Sequence, residues 1–123
     1  MPPASFGTTS FTPDNLIAGK QVPSSRKVTL ITGQNLVRGA LLGVITASGK
    51  YTLSLSAAVD GSQTPTAILA EDCNAAAADK ECLIYERGDF NQSAITFGAA
   101  HTATSVRAGL RDQGIYLQKA QGA

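Results

Sequence analysis

Residues Asp60 to Phe97 read DGSQTPTAILAEDCNAAAADKECLIYERGDFNQSAITF, and this stretch decides the fold class. Thr66-Ala67-Ile68-Leu69-Ala70 is a short apolar run. The loop signals Asp60-Gly61-Ser62 and Gln63-Thr64-Pro65 precede it. An aliphatic run of this length between turn signals predicts a buried strand. Cys82-Leu83-Ile84-Tyr85-Glu86 predicts a second, ending at Arg87-Gly88-Asp89-Phe90. There Gly88 permits a turn out of the strand and Phe90 returns to the core. The connection Asn74 to Lys80 is Ala-rich and allows a turn of helix, but is too short to stand alone as one. Cys73 and Cys82 bracket it. Paired strand ends would bring them within bridging distance, which spacing alone does not establish. In a reducing cytosol free thiols are expected. Two cysteines with no accompanying Cys/His set are too few for a structural zinc site.

Outward from that stretch, strands are expected at Lys27 to Thr32 and Leu41 to Thr46, with a turn around Thr32-Gly33-Gln34-Asn35. Ala47-Ser48-Gly49-Lys50 turns the chain into Tyr51-Thr52-Leu53-Ser54-Leu55, where Tyr51, Leu53 and Leu55 alternate onto one face. The persuasive helix lies between Thr104 and Gln113. Thr104 is its expected N-cap, Val106 and Leu110 share a face, and Gly114 suits the C-terminal cap. Ile115-Tyr116-Leu117 reads as a last short strand. The class is mainly β (α+β), with short strands and one or two short helices. Residues 16–123 are expected to form a single β-rich domain, with Leu16 to Leu117 as its body.

Residues 1–15, MPPASFGTTSFTPDN, are polar apart from Phe6 and Phe11 and cannot bury enough surface to order themselves. They read either as a frayed terminus or as a flexible arm that orders on a partner. In the second reading Phe6 and Phe11 are the anchors, and Thr8, Thr9 and Thr12 favour extended backbone.

The 123 residues suffice for one domain, and with no Trp the core must be aliphatic. The net charge of +1 is not the basic footprint of a nucleic-acid binder. Its distribution is uneven. Up to Lys50 the bases Lys20, Arg26, Lys27, Arg38 and Lys50 face one acid, Asp14. From Asp60 to Asp89 the acids Asp60, Glu71, Asp72, Asp79, Glu81, Glu86 and Asp89 outnumber Lys80 and Arg87. Such charges are solvated surface, or they are faces of opposite sign that meet between subunits or on a larger surface. No secretion signal opens the chain and no apolar run spans a membrane, so synthesis in a cytosol is expected.

Enzyme chemistry finds little support. His101 is the sole histidine, in the small-residue loop Gly98-Ala99-Ala100-His101-Thr102, with no partner visible in sequence. No serine lies in a G-x-S-x-G context, and the glycines near Arg38 form neither a dinucleotide nor a phosphate loop. Neither a bound metal nor any other cofactor is expected. Arg87-Gly88-Asp89 spells the adhesion tripeptide, but three-residue matches arise by chance and a strand-end turn is the much stronger account of it. Asn91-Gln92-Ser93 fits a glycosylation acceptor and is inert without a secretory route.

With Phe11-Thr12-Pro13-Asp14-Asn15-Leu16-Ile17-Ala18-Gly19, Gly33 to Gly43 (GQNLVRGALLG) and Leu110 to Leu117 (LRDQGIYL), the opening stretch resembles the head decoration proteins of tailed, lambda-like phages. The likeness covers most of the chain. It implies a compact, barrel-like (β-tulip-like) domain with Ala67-Ile68-Leu69-Ala70 and Leu83-Ile84-Tyr85 as neighbouring core strands. It also implies a homotrimer at local threefold positions on the outside of an expanded capsid, reinforcing the shell against packaged DNA. The arm would lie on the major capsid protein, with no direct nucleic-acid or membrane contact. The cysteines are not something this family pattern requires. The alternatives are a small soluble β-barrel enzyme or ligand-binding protein with a site invisible in sequence, and an adhesion module using Arg87-Gly88-Asp89.

Overall fold

The computed structural model describes residues 16–18 and 23–119. Eight strands are described: β1 (Ser24–Leu30), β2 (Gln34–Leu36), β3 (Leu41–Val44), β4 (Tyr51–Leu53), β5 (Pro65–Leu69), β6 (Cys73–Ala75), β7 (Lys80–Asn91) and β8 (Ile115–Gln118). A single-turn 3-10 helix (Gln92–Ala94) and α1 (Ala103–Asp112) lie between β7 and β8.

Five strands close into a barrel in the order β1-β4-β3-β5-β7, with β7 returning to β1. The β1–β4 contact is parallel, at Leu30 opposite Tyr51, and the other four are antiparallel. Closure leaves these strands no free hydrogen-bonding edge over their paired lengths. β7 is the longest strand because it serves two neighbourhoods. Its first part pairs with β1 and β5, and Gly88 to Asn91 pair in parallel with β8. β2 and β6 form a separate three-residue ladder, with Leu36 opposite Cys73.

Side-chain alternation sorts the apolar residues into two clusters. Val28, Leu30, Leu42, Ala67, Leu69, Cys82 and Ile84 turn inward and fill the barrel. Leu41 and Ile68 point to the other side of the same wall. There they meet Leu16, Phe90, Ile95, Ile115, Leu117 and the α1 residues Val106 and Leu110. Each fully buried Leu or Ile contributes roughly 1.5–3 kcal/mol relative to exposure. An aliphatic core thus suffices without tryptophan because both sides of the wall are covered.

The two aliphatic runs of the opening stretch are adjacent strands, with Leu69 opposite Ile84. Four local expectations fail. Arg87-Gly88-Asp89 is not a turn at the end of a strand but an interior segment of β7. Gly88 has φ of 143°, and an added Cβ would lie 3.0 Å from Pro23 Cβ and 3.2 Å from Phe90 Cζ. Glycine therefore lets the strand pass between two neighbours without leaving the sheet. The segment Asn74 to Lys80 is not helical. Cys73 and Ala75 bury themselves by pairing with β2, and the Asn74 side chain accepts the Ala76 amide at 3.0 Å to turn the chain. Pairing also makes Gln34 and Asn35 strand rather than turn. Finally, Thr102 caps α1, not Thr104. Its Oγ1 accepts the Ser105 amide at 3.1 Å, and Ser105 Oγ accepts the Thr102 amide at 2.9 Å. This reciprocal capping box satisfies two helix-start amides, those of Thr102 and Ser105, and places the cap two residues before Thr104.

Candidate functional site

The expected anchors Phe6, Thr8, Thr9, Phe11 and Thr12 lie outside the described residues. The root of that segment is described. Leu16 is buried at 1% exposure among the outer cluster. Its carbonyl accepts the Asn91 amide at 2.8 Å, and the Ala18 amide donates to the Asp89 carbonyl at 2.9 Å. Ile17 bridges Phe90 in antiparallel fashion. The chain therefore enters the domain pinned against the end of β7, on β7's other flank from β8. Backbone pairing and a buried leucine fix this point, so a pull on residues 1–15 would be received by the outer cluster.

The Arg-Gly-Asp tripeptide is not displayed as an adhesion loop. Arg87 pairs opposite Ser24, and Asp89 opposite Tyr116. With Pro23, Ser24, Gly114 and Tyr116 the three residues line a surface cleft of about 320 Å³. Backbone held on both flanks cannot project from the surface as an extended loop does.

His101 has a partner that sequence reasoning missed. Its Nε2 lies 3.1 Å from Ser54 Oγ, across 47 positions of chain. Ser54 is fully buried, and its hydroxyl donates to the Ser62 carbonyl at 2.6 Å. The one hydroxyl proton is thus committed away from the imidazole, so Nε2–H donates and Ser54 Oγ accepts. A histidine donating to a serine does not act as its base. The arrangement instead pins two loops together. Gly98 belongs to the same knot, since a Cβ there would stand 1.9 Å from the Ser54 carbonyl oxygen. Ser54 carries no sequence signal, because serines are plentiful and its neighbour is remote in the chain.

The opposite-sign halves of the sequence meet within one chain. Arg26 pairs with Glu86 at 3.3 Å and Lys50 with Asp79 at 2.6 Å. The Asp72 carboxylate accepts the Arg38 amide at 2.9 Å, while the Arg38 guanidinium donates to the Ala70 carbonyl and Tyr85 hydroxyl. Hydrogen bonds hold the carboxyls of Asp79 and of Asp60 below the ordinary value of 3.8. Asp60 is lowered by the Ser62 hydroxyl and amide, and Asp79 by Lys50 and the Thr32 amide. The sign separation is therefore partly consumed inside the subunit, and it carries less weight as a subunit-docking signal. Among the described residues no group of three or more His, Cys, Asp or Glu is placed to hold a metal ion. No helix among them is long and apolar enough to cross a membrane.

A family model described as bacteriophage lambda head decoration protein D matches residues 6–115. The chain belongs to this family. The family is a structural capsid protein of phages, so membership gives the chain a capsid-decoration role and a place in the virion capsid. No curated protein matches it in sequence. The match begins ahead of the barrel and takes in Phe6, Thr8, Thr9, Phe11 and Thr12.

Proposed function

We propose that this head decoration protein acts as a homotrimer on the outer surface of the expanded capsid. It binds at local threefold positions, with residues 1–15 laid on the major capsid protein, and contacts neither the packaged DNA nor a membrane. The work is mechanical rather than catalytic: binding free energy is added to the closed shell and opposes its rupture from within. The observation that carries this reading is the family match reaching back to residue 6, so the segment before the barrel belongs to the shared pattern. The pinned root supports it, because an arm transmits load only if it is anchored.

Three arms on one trimer act together, since the first contact raises the effective concentration of the others. Extended arm backbone adds affinity by pairing with an exposed sheet edge of the capsid protein. Burying Phe6 or Phe11 contributes roughly 1.5–3 kcal/mol each. Ordering costs about 1–2 kcal/mol per residue and offsets much of this, so tight binding needs all three arms.

The test uses emptied, expanded capsids with the full chain and with a chain lacking residues 2–12. The truncated protein should remain folded, keep its subunit association by light scattering, and lose most of its capsid binding. Equal decoration by both proteins would reduce residues 1–15 to a frayed terminus. A dimer on the capsid would end the threefold reading.

A further inference from the structure

The proposed function makes no use of the cysteine pair. Cys73 starts β6 and pairs opposite Leu36, whereas Cys82 lies on β7 opposite Val28. Their ladders differ, yet both side chains enter the inner cluster, at 3% and 1% exposure. There Cys73 is a near neighbour of the Cys82 thiol. The strand ahead of Cys73 pairs with β7 just beyond Cys82, with the Ala70 amide donating to the Leu83 carbonyl at 2.9 Å.

We propose that Cys73 and Cys82 are a latent intramolecular disulfide, made as thiols and closed by a low-molecular-weight disulfide when the particle meets an oxidising medium. One cysteine thiolate attacks a sulfur of the small disulfide and expels a small thiolate, leaving a mixed disulfide on the protein. The second cysteine loses its proton and attacks the protein sulfur of that bond, expelling the second small thiolate. Both cysteines are oxidised by one electron each, the small disulfide is reduced to two thiols, and the cysteine protons end on them.

Burial sets the pace. Only a thiolate attacks, and the Cys82 thiol is pushed up to about 12, first by burial and then by the nearby Cys73, Glu71 and Glu81. The entry point is Cys73. Its strand is held by a three-residue ladder, and the connection behind it is exposed. Opening of β6 presents Cys73 to the oxidant, and its return brings the mixed disulfide onto Cys82. The finished bond ties the small β2–β6 ladder to the barrel wall.

The test treats full-length protein with a glutathione redox buffer, both while folded and during refolding from denaturant. Thiols titrated after denaturation should fall from two to none per chain, and intact mass should drop by two hydrogens. The chain should run as a monomer on a non-reducing denaturing gel. The denaturant midpoint should rise and return on reduction, because the bridge restricts the unfolded chain. Oxidation of the folded protein should be the slower arm, and Asp79→Ala, which frees the connection behind β6, should accelerate it. Cys73→Ser and Cys82→Ser should give no bridged product. Two thiols retained after oxidative refolding, stable glutathione adducts on the wild type, interchain dimers, or a midpoint that falls on oxidation would each overturn the proposal.

Discussion

The inside of the barrel and the cluster on its outer wall share three strands but differ in where their other residues come from. The inner cluster draws its members from Val28 to Ile84. The outer cluster joins the two ends of the described chain, with Leu16 from one side and Phe90 to Leu117 from the other. β3, β5 and β7 supply both, Leu42, Leu69 and Ile84 inward, Leu41, Ile68 and Phe90 outward. The difference assigns them separate work. The inner cluster closes the barrel, while the outer one fastens α1, β8 and the segment Leu16 to Ala18 to it. Damage inside should unfold the barrel as a unit, and damage outside should also release the root.

The largest effects test this division directly. Phe90→Ala should cost about 3–5 kcal/mol and Ile84→Ala about 2–5 kcal/mol, both read from denaturant midpoints. Both side chains are fully buried. The discriminating measurement is amide hydrogen exchange at Ala18 and Asn91, whose amides tie the root to β7. Phe90→Ala should speed exchange there beyond its effect on Ile68 or Leu69, whereas Ile84→Ala should raise all sites together. Uniform acceleration in both variants would merge the two clusters into one cooperative unit.

A smaller effect probes only the outer cluster. Thr102→Ala removes one side of the capping box and should cost about 1 kcal/mol. Val106 and Leu110 hold α1 on the wall, so the helix should fray at its start without leaving. Helix-start amides such as Ser105 should exchange faster while Val28 and Leu30 stay protected. Loss of protection in the barrel would show that the cap supports more than the helix.

What the sequence disclosed follows the same boundary. The inner wall was legible because runs such as Ala67 to Ala70 and Cys82 to Ile84 are aliphatic and flanked by turn residues. Gly88 misled because the same φ that ends a strand also lets one squeeze between Pro23 and Phe90. Ala75 to Ala78 misled because Ala favours helix locally, whereas burial of Cys73 and Ala75 against β2 is a remote effect. The Ser54–His101 bond joins residues too far apart in the chain for any local pattern to reveal it. The family resemblance supplied the capsid, a large external surface that no feature of a lone barrel specifies.

Asp79 tests the rim of the inner barrel through pH. Its folded value lies below the ordinary 3.8, through Lys50 and the Thr32 amide. Its stabilising contribution is therefore complete above about pH 3.8 and is lost as pH falls through the folded value. Asp79→Asn should be less stable than wild type near neutral pH, by an amount that shrinks with added salt because the pair is exposed. The two stability curves should converge in strong acid. A gap that widens on acidification would assign Asp79 the opposite sign and separate it from Lys50.

The smallest expected effect lies furthest from either cluster. Val59 is 95% exposed on the connection after β4, so nothing in the subunit gains from its isopropyl group. Val59→Ser should shift stability by no more than about 0.5 kcal/mol. The neighbouring loop stays held without it, because the Ser56 amide donates to the Ala99 carbonyl at 3.2 Å and Ser54 meets His101. The check is a denaturant midpoint for the isolated protein set beside that of Ile84→Ala. A loss comparable to that core change would mean that Val59 packs against something in solution. Repeating the measurement at several protein concentrations then decides between a second copy and the subunit itself, since only contact between copies makes the midpoint rise with concentration.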